Sequence, residues 1–304
     1  MVGISTLEFT DGSYNVATGQ FTAGTTSSGT SSPGTTTGST GSTSTGTTGS
    51  TSSSSGNITA PQVSHGAGDV VGVRIENNES SATAARTVTF GQTFAEGDVP
   101  RGTHLMATIN GQQVPVQMDV QTHNDDGSVA QAILTVQVPS IAARSAIQIG
   151  LDTASGPATG TALDPHNFVA RGFETSVDLT IDNFHGNGNG NGNVGHLHID
   201  VGAALNQALA AGTAKTWMQG PLATEVRISV PINGSLTAQF DIRGNADGTF
   251  STDVVIQNDK IYSSDSKTYT YDIVIASHGQ TLLSQADITQ TPMQNFERLV
   301  WSSK

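Results

Sequence analysis

The sequence predicts an all-β body of barrel or sandwich type carrying one short helix. Three observations predict it. Apolar residues alternate with period 2 in segment after segment from about residue 60 onward, the mark of half-buried strands. An Asn110-Gly111 pair joins two such segments, and Asn-Gly supplies the positive φ angles a tight hairpin needs. Only one stretch shows helical spacing. Sandwich and barrel are not separated by periodicity.

The elements follow in order. Val71, Val73 and Ile75 alternate with Gly72 and Arg74. Leu105, Ala107 and Ile109 lead into Asn110-Gly111, and Val114, Val116, Met118 and Val120 return, the clearest hairpin in the chain. Ala132, Leu134, Val136 and Val138 form another strand, and Ile147, Ile149 and Leu151 a short one. After a Pro/Gly-rich break at Gly156–Pro165 come Val177, Leu179 and Ile181. The helix is expected over Ala203–Ala211, with Leu205 and Leu209 four apart, Asp200 as N-cap and Gly212 just past its end. Four more strands close the reading: Val226–Ile232, Leu236–Ile242, Val254–Ile256 and Tyr271–Ile275, punctuated by turn signals at Asn245–Gly248 and His278–Gly279.

Composition narrows the function. Lys+Arg number 12 against 25 Asp+Glu, a formal net charge of −13 in 304 residues. Such a chain repels phosphate backbones and anionic lipid, so neither nucleic acid nor a membrane surface is an expected partner. No window approaches the roughly 20 apolar residues of a bilayer span. There is no cysteine, hence no thiolate nucleophile, disulfide or Cys-ligated zinc.

Four segments are expected: a leader, 1–22; a tether, 23–59; a first β domain, 60–155; and a second β part, 156–304, either separate or continuous with the first. Apart from its end residues and Pro33, Ala23–Asn57 contains only Gly, Ser and Thr. It cannot bury enough apolar surface to offset its ordering entropy, and a Gly/Ser coil of this length has an rms span of about 30 Å. Within the leader, Ile4, Leu7, Phe9, Tyr14 and Phe21 are too few for a core but enough for a strand added to a partner's sheet, so residues 1–22 read as a docking peptide or as a disordered tail. The opening residues lack the basic and apolar regions of a secretory signal. A leader removed beforehand, non-classical export, or assembly within a cell followed by lysis would each account for this, and the last is preferred.

Residues 86–151 carry a recognisable pattern: Gly91, Phe94, Gly97 and Pro100, then a hairpin with Gly111, Pro115 and Gln117, then Asp126-Gly127-Ser128 before a further strand. The run resembles the N-terminal RIFT-barrel-like domain of exo-acting rhamnogalacturonan lyases, and similar domains occur in phage and phage-like particles of alphaproteobacteria. The likeness continues loosely through 220–230 and 296–301. Two departures stand out. His123-Asn124-Asp125 occupies the place where the lyases carry a tryptophan, and the α-helical toroid that follows the β domain in the lyases has no counterpart before Lys304. The resemblance therefore implies a fold more than an activity.

Several constellations could carry chemistry. Asp125 and Asp126 offer hard oxygens for Ca²⁺ or sugar hydroxyls, or else simply build a turn. His196, His198 and Asp200 fall on one face of a strand, with His185 across a Gly-Asn repeat; together they could share a divalent cation, the one cofactor the sequence admits. Against that, Asp200 is also the helix cap. Trp217 and Trp301 are candidate sugar-stacking faces, although the scarcity of aromatics favours a core role for both. Lys215, Arg227, Arg243, Lys260, Tyr262, His278 and Arg298 are of types a lyase uses, but nothing in their spacing groups them, and no catalytic residue is assigned. The expectation is a structural and adhesive surface protein (fibre, spike or decoration) of a phage or phage-like particle. Residues 1–22 would join it to other virion proteins, several copies would assemble together, and the body would contact host surface polysaccharide. The alternative is an accessory or catalytic domain of a lyase acting on an acidic polysaccharide.

Overall fold

The computed structural model describes residues 69–154, 156–182, 195–259 and 267–302, and the backbone of three N-terminal strands at 6–9, 12–15 and 20–23. In chain order the strands of the first half are β1 (Thr6–Phe9), β2 (Gly12–Asn15), β3 (Gln20–Ala23), β4 (Val71–Asn77), β5 (Arg86–Thr93), β6 (His104–Ile109), β7 (Gln112–His123), β8 (Val129–Val138) and β9 (Ser145–Ala154). The second half contributes β10 (Ser176–Ile181), β11 (Gly195–Asp200), helix α1 (Val201–Ala210), β12 (Lys215–Gln219), β13 (Ala223–Asn233), β14 (Leu236–Asn245), β15 (Phe250–Asn258), β16 (Tyr269–Ser277), β17 (Gln280–Gln290) and β18 (Asn295–Ser302). The protein is all-β, with curled antiparallel sheets forming a half-barrel or sandwich body.

Two compact units are present: Met1–Thr83 with Ile141–Leu151, and Ala84–Ser140 with Asp152–Lys304. Residues 84–140 thus group with the chain beyond 152, whereas the sequence reading placed its division at 155/156.

In the first unit the strands run β3-β2-β1-β4-β9, all antiparallel. β4 and β9 share seven residue pairs, from Val71↔Leu151 to Asn77↔Ser145, and bury Val73, Ile75, Ile149 and Leu151. β1 meets β4 through Leu7↔Ile75 and Glu8↔Arg74.

The second unit opens with the run β6-β7-β8-β5. Its β6–β7 hairpin turns where the sequence places it, with Asn110 at φ 51° and Gly111 at φ 76°. Two further sheets, β11-β10-β16-β17 and β12-β13-β14-β15-β18, face each other across one core. Period-2 alternation delivers that core: Val177, Leu179 and Ile181 from β10 meet Val226, Ile228, Phe240, Ile242 and Val254 from the opposing sheet. Phe168, Phe173 and Phe250 fill one end, the rings of Phe168 and Phe250 meeting edge-on at 5.4 Å between centroids.

Helix α1 begins two residues before the expected start. The Asp200 carboxylate accepts the Ala203 N–H at 2.9 Å, a cap that makes Val201 the first helical residue, and Val201 and Leu205 bury against the core. Gly212 at φ 66° follows its end. Among the described residues no helix is long and apolar enough to cross a membrane.

Candidate functional site

The site grows out of the same alternation that builds the core. Because Val226, Ile228, Phe240, Ile242, Val254 and Val300 point inward, the residues between them share the outer face of the five-stranded sheet. Antiparallel register arranges these in cross-strand rows. One row reads Glu225↔Arg243↔Ser251↔Trp301, and the next reads Arg227↔Asp241↔Asp253↔Leu299, with Lys215 beside Arg227 at the β12 edge.

The tryptophans are not core residues. Trp217 and Trp301 are each 48% exposed, as is Leu299. The expectation that scarce aromatics fill the core fails because Phe168, Phe240, Phe250, Tyr269 and Tyr271 already fill it. A register shift between Thr216 and Met218 shapes the β12 end: Met218 is buried, while the intervening Trp217 is turned outward. There the Arg227 guanidinium lies 4.6 Å from the centre of the Trp217 ring, a cation–π contact that fixes the ring's pose. Trp301 stands on β18, four strands across the sheet. At about 4.8 Å per strand, the strands that carry the two indoles are about 19 Å apart.

Between the indoles the charges are largely matched. Arg227 forms a two-pronged bond to Asp241, Nε to Oδ1 at 2.6 Å and Nη2 to Oδ2 at 2.7 Å. Arg243 does likewise toward Glu225, with Nε to Oε2 at 2.7 Å and Nη2 to Oε2 at 2.5 Å. All four side chains are substantially buried, Asp241 being only 12% exposed. The bond to Asp241 holds the Arg227 guanidinium still more firmly protonated than usual. Among the described residues Asp253 has no such partner. Glu297 stands diagonal to it on the same face. Burial first, then the charge and hydrogen bond of Glu297, then Asp241 and Glu225, push the Asp253 carboxyl up to about 7. Near neutrality the Asp253 carboxyl is therefore partly protonated.

The arrangement is an open face with two flat apolar rings at its ends and hydrogen-bonding groups between, so it can stack against and bond a hydroxyl-rich chain. Sequence reasoning found the tryptophans but not the ion pairs. The available signal was register: with the β13–β14 turn at Asn233–Leu236, Glu225 and Arg227 fall opposite Arg243 and Asp241.

The other predicted residues lie elsewhere. Asp126 closes the β7–β8 turn, its Oδ1 accepting the Ser128 N–H at 2.8 Å and hydroxyl at 2.5 Å. Those bonds hold its carboxyl below the usual range, and Gly127 takes φ 83° beside it. Asp125 is exposed in the same turn. His196 and His198 are exposed on β11, but each Nδ1 meets β10, at Thr180 Oγ1 (3.1 Å) and Asp178 Oδ1 (2.6 Å), while Asp200 caps α1. Among the described residues no three or more carboxylates and imidazoles group as a metal site; His185 lies outside those residues, as do Lys260 and Tyr262. Ile4 and the tether beyond Ala23 also lie outside them. Leu7, Tyr14 and Phe21 occupy one cross-strand row of β1–β3, and Phe9 pairs with Gly12.

No family model, curated protein or solved structure matches the chain.

Proposed function

We propose that the chain is an adhesive surface protein of a phage or phage-like particle, and that the outer face of β12-β13-β14-β15-β18 contacts surface glycan. The observation carrying the glycan contact is the pair of half-exposed tryptophans at opposite ends of one sheet face. Acidic charge, the Gly/Ser/Thr tether and the resemblance of residues 86–151 support the particle setting. Residues 1–22 would join the particle, and several copies would multiply individually weak contacts.

These two tryptophans are the only ones in the chain, so intrinsic emission reports on this face alone. Titration with a panel of polysaccharides is expected to shift that emission saturably, and W217A or W301A to weaken binding about tenfold each. Silence across the panel would remove the glycan contact. For the particle setting, deletion of residues 1–22 is expected to leave the body folded by circular dichroism yet absent from purified particles; undiminished incorporation refutes the docking role.

A second reading, a domain of a polysaccharide lyase, draws on Asp253, whose carboxyl exchanges its proton near neutrality as a general acid or base must. Ultraviolet absorbance of unsaturated product from uronate polymers tests it.

A further inference from the structure

We infer that this sheet face selects an uncharged, extended glycan over an acidic one. The inference rests on the glycan-contact reading and names its ligand class.

A uronate-binding face needs cations free to meet the ligand's carboxylates, as arginine does in its two-pronged mode. Here both central arginines are already committed. Turning Arg227 toward a ligand would strip Asp241 of its partner at 12% side-chain exposure, and turning Arg243 would do the same to Glu225 at 18%. Leaving a partly buried carboxylate uncompensated opposes any gain from the new pair. Rotation of Arg227 would also release the Trp217 ring it stacks on, so one ligand contact would be lost in making another.

Among the described residues the charge that remains unmatched beside the row joining the rings is negative. Asp253 and Glu297 share the face with Asp241 and Glu225, whose charges Arg227 and Arg243 balance, and Lys215 stands only at the β12 edge. A glycan carboxylate laid from Trp217 to Trp301 would follow the Glu225–Arg243–Ser251 row, pass one row from Asp253 with Glu297 one row further, and be repelled. Neutral hydroxyls meet the opposite situation, because carboxylates accept their hydrogen bonds. The rings take the apolar faces of the sugars. The strands that carry the rings lie about 19 Å apart, which calls for an oligomer lying along the row; a single sugar reaches one ring at most.

The test titrates the full chain, by tryptophan emission at one fixed ionic strength, with neutral polymers (laminarin, pullulan, galactomannan) and uronate polymers (alginate, polygalacturonate). Binding to at least one neutral polymer, at least tenfold tighter than to either uronate polymer, is expected, with monosaccharides ineffective. The D253N/E297Q variant, checked for folding by circular dichroism, is expected to narrow that ratio by raising uronate affinity. Uronate polymers that bind as tightly as neutral ones overturn this inference and leave glycan contact standing. Failure of every polymer to bind overturns both.

Discussion

Truncating Gln117 should unfasten β7 from the turn that enters β13. Its amide is 4% exposed and uses both ends. Oε1 accepts the N–H groups of Leu222 and Ala223, each at 2.9 Å, and Nε2 donates to Ala223 O and to Asp119 Oδ2, each at 2.8 Å. In Q117A the Ala223 carbonyl keeps its bond from the Gly220 N–H, so two buried donors are orphaned. At about 1–3 kcal/mol for each orphaned group, and with water entering part of the gap, a loss of about 3–4 kcal/mol follows. Gly220 supplies an independent check. A Cβ there would overlap the Gln117 amide, which its four bonds prevent from swinging aside, so G220A breaks the same network by displacement. Urea unfolding of Q117A, G220A and the double variant should show the double costing clearly less than the sum of the singles. A Q117A protein within 1 kcal/mol of the parent, or full additivity, would refute the reasoning.

Two further outcomes are expected. Asp253 stays protonated in the fold up to about pH 7 while the unfolded chain ionises near 3.8, so it makes stability fall between those values and level off above them. D253N should remove that slope and stabilise the protein by about 1–2 kcal/mol at about pH 8, half or less of the full equivalent because the group is partly solvated; urea midpoints at about pH 5 and 8 decide, and a D253N protein less stable than the parent at the higher pH contradicts it. D200A removes the side-chain bond that caps the N-terminus of α1 and should cost about 1 kcal/mol, read from the thermal midpoint, with no change in glycan binding.

How much of this was legible depended on burial. Strands with one wet and one dry face, such as β13, β14 and β16, announced themselves by alternation, and Asn110-Gly111 named its own turn. β17 carries no strand signal in its sequence because it is exposed on both faces over most of its length, and pairing with β16 leaves no apolar rhythm in it. β12 is equally silent, being five residues long and bulged at Trp217. The candidate site was half legible. Two tryptophans stood out by rarity, but their placement required knowing that phenylalanines and tyrosines had already satisfied the interior. The arginines gave no sign of their partners, since Arg227 and Asp241 are fourteen positions apart and only register joins them.

The committed arginines also bear on where such a surface can work. With its cations already matched internally, the face offers dissolved ions little attraction to screen. If the proposed glycan contact holds, binding made by ring stacking and hydroxyl bonding would persist from dilute to brackish water, where contacts made by unpaired lysines let go.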